Sequence, residues 1–169
     1  MNQKTSHTLE FDKILSLLEE KAVSAPGKAL CRALTPMTEL GAIETAQAET
    51  EAALSRIRMK GELRLAGLRD VSASVKRLDV GGTLSTSELY AIGTLLDLSE
   101  RARNYGAHEE AEPDPDALEA SFTALSPLPK EKRELKRCIL SEELVADTAS
   151  AELSRIRRQM KTADERMHS

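Results

Sequence analysis

Apolar residues recur at intervals of three and four along most of this chain, and the side chains that usually fill sheets are nearly missing. That spacing lays one apolar stripe along a helix of about 3.6 residues per turn and does not fit the alternation of a half-buried strand. The 169 residues include two Tyr, two Phe and no Trp, so aromatics supply 2% of a chain that is 40% hydrophobic. Leu, Ala, Glu, Lys and Arg lose little rotamer freedom in a helix, whereas aromatic and β-branched residues favour strands. The expected fold is all-α, with at most one short β-hairpin.

Local signals divide the stripe into segments. Leu9, Phe11, Ile14, Leu15, Leu17, Leu18 and Ala22 form the first, with Ser6 and Thr8 as candidate caps. A second helix fits Ala25 to Ala33, capped by Ser24 and carrying Pro26 in its first turn. Thr38 is placed to cap a long third helix running to Lys60, where Gly61 supplies a left-handed stop. An extended connector over Glu62 to Asp70 leads to a short helix capped by Asp70 and broken by Gly81-Gly82. Ser85 and Glu88 have capping-box spacing and open a helix through Leu89, Ile92, Leu95, Leu96 and Leu98 to Tyr105.

Ala107 to Asp116 holds five acids, two prolines and no large apolar residue, the composition of a solvated linker. Short helices are expected over Leu118 to Leu125 and Lys130 to Ile139, then a tight turn or small hairpin between Leu140 and Ala149. Ser150 starts the last helix. Its apolar positions Leu153, Ile156, Met160, Ala163 and Met167 are spaced three, four, three and four, which is a coiled-coil seam. Left without a cover, such a seam predicts either fraying after about Met160 or pairing with a second copy.

The chemistry of enzymes is missing from the pattern. His7, His108 and His168 lie far from one another and from Cys31 and Cys138, so no zinc spacing and no nucleophile with a base can be assembled. Gly27-Lys28 lacks both the earlier Gly and the following Ser or Thr of a phosphate loop. No catalytic, nucleotide-binding or metal-ligating residue is assigned, and no cofactor is expected within these residues. Adjacent carboxylates at Glu19-Glu20, Glu109-Glu110 and Glu142-Glu143 point different ways on a helix and read as solvation.

Two basic clusters are the exception. Lys130, Lys132, Arg133, Lys136 and Arg137 crowd one helix, and Arg155, Arg157, Arg158 and Lys161 the next. They are candidate phosphate contacts, set against the plainer reading of a charged flank paired with Glu131, Glu134 and Glu152. The formal charge of −4 gives no general attraction to nucleic acid or to an anionic membrane, so any such contact is local. Two cysteines, no signal-like apolar run and no stretch of bilayer length point to a reduced, cytoplasmic chain with no membrane contact.

Particular residues resemble a known family. Leu9-Glu10-Phe11-Asp12-Lys13-Ile14-Leu15, Gly27-Lys28 and Pro36, Gly67-Leu68-Arg69-Asp70, Gly81-Gly82-x-Leu84 and Asp147-x-Ala149-Ser150-x-x-Leu153-x-x-Ile156-Arg157 are similar, in order and spacing, to the N-terminus of the bacterial MutS paralogue that carries a Smr nuclease domain. Where that pattern has an Asp-Gly-like pair before Asp147, this chain has Glu142-Glu143, which predicts a looser hairpin.

Composition and local signals divide the chain into a helical core subdomain over 1–106, an acidic linker over 107–116, a helical segment with the hairpin over 117–149 and a last helix over 150–169, which the resemblance implies is the start of a lever. The resemblance also implies a parent with an ATPase site using ATP and magnesium, a Smr-type endonuclease and a clamp, all beyond Ser169. That parent would act as a homodimer on branched DNA, suppressing recombination, or on collided ribosomes and their rRNA, rescuing them. The alternative is a free-standing helical adaptor that binds a protein partner through the 153–167 seam.

Overall fold

The computed structural model describes residues 8–107 and 115–168, and every regular element among them is helical. In chain order these are α1 (Phe11–Lys21), α2 (Ala25–Ala33), α3 (Leu40–Lys60), α4 (Ser72–Asp79), α5 (Thr86–Gly106), α6 (Glu119–Thr123), α7 (Pro129–Cys138), a 3-10 turn (Asp147–Ala149) and α8 (Ala151–Met167). The expected hairpin shrinks to one antiparallel bridge between Ile139 and Val145. Its ladder is Leu140 N–H to the Leu144 carbonyl at 2.9 Å and Ala146 N–H to the Cys138 carbonyl at 2.8 Å.

Local hydrogen bonding explains most boundaries. Ser24 Oγ accepts from Gly27 N–H at 3.1 Å, and Ser150 Oγ accepts from Leu153 N–H at 3.1 Å, each satisfying one orphan donor of a first turn. Ser85 and Glu88 close a reciprocal box: Glu88 Oε2 accepts from Ser85 N–H at 2.9 Å, and Ser85 Oγ from Glu88 N–H at 3.3 Å. After α4, Gly82 N–H reaches the Arg77 carbonyl and Gly81 N–H the Leu78 carbonyl, both at 2.8 Å, with Gly81 at φ 78°. This is the paired closure that a left-handed glycine allows.

Three expected caps move. Glu10, left-handed at φ 54°, holds the cap position of α1, so Thr8 lies upstream of it and Ser6 falls outside the described residues. Glu39 replaces Thr38 before α3, because its longer side chain reaches Gly41 N–H at 3.0 Å and Ala42 N–H at 2.5 Å. Val71, not Asp70, precedes α4. At the far end α8 continues unbroken to Met167, where His168 N–H bonds the Asp164 carbonyl at 3.2 Å.

The chain divides into two compact units, Met1–Asp70 with Leu98–Pro127 and Val71–Asp97 with Leu128–Ser169. Each is built from two separated stretches of sequence, and α5 contributes to both. The linker's last residue, Asp116, is held inside the first unit, as shown below, while 108–114 lie outside the described residues.

The first unit carries the α1–α2 hairpin, joined by Arg32 and Glu19 (Nε to Oε2, 2.7 Å), so one carboxylate of the Glu19-Glu20 pair holds two helices together. Its other anchor is Arg56 of α3, 8% exposed. Arg56 donates through Nε to Asp116 Oδ2 at 2.5 Å, through Nη2 to Asp116 Oδ1 at 2.9 Å and through Nη1 to the Gly106 carbonyl at 3.3 Å. Lys60 Nζ reaches the Ala107 carbonyl at 3.0 Å. Two cations of α3 thus cap the last carbonyls of α5, the negative end of its dipole. Tyr105 Oη returns the favour with a 2.9 Å bond to the carbonyl of Gly61, just past α3, and meets Phe122 edge-on at 5.8 Å. The guanidinium of Arg56 lies 5.0 Å above the Phe122 ring.

In the second unit Glu88 also binds Ser74 Oγ at 2.9 Å and pairs with Arg77, joining α4 to the start of α5. Among the described residues the buried hydrophobic ones are Ala52, Leu96, Leu98, Ala102 and Ala146, while Leu17, Leu30, Leu40 and Met59 are each more than 60% exposed. A soluble domain of this length ordinarily buries far more, so both units present apolar surface in quantity.

Candidate nucleic-acid interface

The basic residues singled out in the sequence all lie in the second unit, on α7 and α8, and the structure sorts them into two groups. One group is engaged internally. Lys132 and Lys136 converge on Asp97 of α5, with Lys136 Nζ 2.7 Å from Oδ2 and Lys132 Nζ 3.6 Å from Oδ1. Arg137 pairs with Glu134 and donates to the Thr148 carbonyl at 2.5 Å and the Ala149 carbonyl at 3.3 Å. Arg157 pairs with Asp147 and donates through Nη1 to the Val145 carbonyl at 2.8 Å.

These contacts have a common centre. In the 3-10 turn between α7 and α8 the Thr148 and Ala149 carbonyls accept from Arg137 of α7, while Arg157 of α8 binds the Asp147 side chain and the Val145 carbonyl just before the turn. The turn is thereby clasped from both sides, fixing the direction in which α8 leaves α7. Both arginines are long, forked and permanently charged, the properties that suit them to several acceptors at once. Glu134 and Asp147 complete the set, and the Arg137 guanidinium holds the Glu134 carboxyl below the usual carboxylate range.

The second group is free. Lys130 and Arg133 on α7, and Arg155, Arg158 and Lys161 on α8, are exposed and make no ion pair among the described residues. Arg155, Arg158 and Lys161 are three residues apart, so they share one side of α8. The half-buried residues Leu153, Ser154 and Arg157 mark the packed face of that helix. At about 100° per residue the apolar seam lies roughly a quarter-turn from the packed face and nearly opposite the basic stripe. Its members Ile156, Met160 and Met167 are 41%, 65% and 75% exposed. Thus α8 offers two unlike surfaces, cationic on one side and apolar on the other.

The exposed cations of such an arrangement can contact phosphates. No group of His, Cys, Asp or Glu among the described residues has a metal-holding arrangement, and none of their helices is long and apolar enough to cross a membrane. Cys138 donates to Glu134 at 3.5 Å, and burial, reinforced by that carboxylate, pushes its thiol up and away from nucleophilic use near neutral pH. His168 bonds a helix-end carbonyl, and His7 and His108 lie outside the described residues. Sequence reasoning missed Asp97 and Asp147 as the internal partners of the basic clusters, since nothing local marks either aspartate as one.

Comparison with known proteins gives a consistent picture. No family model matches the chain. Endonuclease MutS2 of Agathobacter rectalis is 40% identical over 169 residues, covering all of this chain and 21% of that protein. Endonuclease MutS2 of Lachnoclostridium phytofermentans is 38% identical over 173 residues, and that of a Geobacillus species 34% identical over 169, each covering 99% of this chain. The chain spans about a fifth of the length of these curated relatives.

Proposed function

Because the chain belongs, along its whole length, to the MutS2 family, we propose that it is the non-catalytic core and the start of the first lever helix of a MutS-like nuclease. The observation that carries this reading is α8. It starts from a clasped turn, it is regular to Met167, and its apolar seam is exposed at Ile156, Met160 and Met167. A helix so built suits a lever that continues and finds a companion in a longer chain.

In that reading ATP, magnesium and the endonuclease chemistry belong to the remainder of a cytoplasmic, homodimeric protein. This chain couples an ATPase to a clamp that holds branched DNA or the RNA of a stalled ribosome. Lys130, Arg133, Arg155, Arg158 and Lys161 are the residues available for phosphates, because Lys136, Arg137 and Arg157 already serve the fold. No vesicle-binding surface is implied.

The test is binding of branched DNA and of structured RNA to this chain across a salt series. The expected result is weak binding that falls steeply with salt, since each duplex phosphate contact adds roughly −0.9 to the log–log slope. Arg155→Glu with Arg158→Glu should remove it, leaving helix content unchanged. Binding indifferent to salt, or retained by that double variant, would defeat the assignment.

A further inference from the structure

Between α5 and α7, within the second unit, lies a cavity of about 340 Å³ with unlike ends. Leu89, Leu135 and Ile139 give it apolar walls. At one end stands Tyr90, exposed, with no hydrogen bond to its hydroxyl among the described residues. At the other, two turns further along α5, stand Asp97 and Lys136. We propose that this cavity binds a single nucleobase, guanine best, stacked on Tyr90 with its hydrogen-bonding edge at Asp97 and Lys136. The inference goes beyond the phosphate reading, since no residue of the basic stripe on α8 lines the cavity.

Gly93 points to a ligand rather than to packing. It is buried, lines the cavity between the two ends and sits well inside α5, where glycine weakens a helix. A Cβ on Gly93 would meet Leu135 Cβ at 3.9 Å, an ordinary contact, so the packing of α5 on α7 has room for alanine. The missing methyl leaves space in the cavity, where a flat ring can lie close to backbone.

The polar end selects the kind of ring. Lys136 Nζ lies 2.7 Å from Asp97 Oδ2 and has two further protons to give, while Oδ1 is 3.6 Å from Lys132, beyond a good hydrogen bond. A ligand is thus offered an acceptor and a donor side by side. A bare anion would leave Tyr90 and the apolar walls unused, and an apolar side chain would cover the charged pair without bonding it, at a desolvation cost. A nucleobase edge carries both donors and acceptors, and guanine alone sets two N–H groups beside a carbonyl, the former for the carboxylate and the latter for the ammonium. Tyr90 and Asp97 are about 10 Å apart along the helix axis, a span that a bicyclic base with its sugar fills.

The test uses the 169-residue chain and guanosine, which has no phosphate for the basic stripe to hold. In equilibrium dialysis guanosine should bind saturably and more tightly than uridine. Gly93→Ala, which narrows the cavity while favouring the helix, should weaken binding about ten-fold with no fall in melting temperature. Tyr90→Leu should weaken it by a similar factor, and Tyr90→Phe, which keeps the ring face, should not. Arg155→Glu with Arg158→Glu should leave it unchanged, so this proposal and the phosphate reading fail separately. Duplexes identify the source of the base. An unpaired base within a strand makes a duplex with one bulged guanine bind more tightly than its fully paired counterpart at the same salt, by a margin that Gly93→Ala removes; a free nucleotide as the source leaves the two duplexes alike. No saturable guanosine binding, equal affinity for uridine, or affinity indifferent to Gly93→Ala would each overturn the proposal.

Discussion

Arg56 shows what one side chain can hold together when its charge is shielded. Its guanidinium serves a carboxylate, a helix-end carbonyl and an aromatic face at once, so its removal leaves several acceptors without donors. Arg56→Ala should therefore destabilise the first unit by about 3–5 kcal/mol, the range for breaking a shielded ion pair, read as a fall in denaturation midpoint. Asp116→Asn should give a smaller loss and a distinctive pH signature. The Arg56 guanidinium, helped by Leu118 N–H, holds the Asp116 carboxyl below the usual carboxylate range, against an opposing push from burial. The folded state thus binds fewer protons than the unfolded state at acid pH. The stabilisation is complete above the ordinary range near pH 4 and is lost as pH falls through the lowered value. Urea midpoints measured from pH 6 down to pH 2 should drop for the parent and drop less for Asp116→Asn. Neither residue announced this pairing in the sequence, for they stand 60 positions apart and Asp116 closes a run that reads as solvated linker.

At the scale of elements, the legible features were those decided within one turn of helix. Ser24, Ser150 and the Ser85–Glu88 box behave as their spacing predicts because a cap needs only its own first turn. Glu39 was hidden by habit: short side chains usually cap, and a glutamate that curls back onto Gly41 and Ala42 leaves no distinguishing spacing. The basic clusters were legible as clusters but not as two classes, since the division depends on Asp97 and Asp147. Arg157→Ala should accordingly lower thermal stability while barely changing the salt slope of nucleic-acid binding, whereas Arg158→Ala should do the reverse; paired melting curves and binding isotherms separate them. Gly106 ends α5 directly under the ring of Phe122, where an added methyl would collide with its Cβ and Cγ. Gly106→Ala should cost about 1–3 kcal/mol by overpacking, measurable as a lower midpoint, even though alanine is the better helix former.

For the whole molecule, the few buried side chains among the described residues are the organising fact. Helical class could be read from composition, but the division into two units could not, because each unit joins stretches separated by dozens of residues. Their placement of tyrosines has a spectroscopic consequence. With no tryptophan in the chain, ultraviolet emission comes from Tyr90 and Tyr105 alone, and the units hold one apiece. Tyr105 is bonded to the Gly61 carbonyl and edge-on to Phe122, while Tyr90 is 39% exposed on α5. Tyr90→Phe and Tyr105→Phe therefore turn one chain into two single-colour reporters, each lit by a different half of the fold. If the halves melt as one, the two emission curves will superimpose on heating; if they melt in turn, the curves will part.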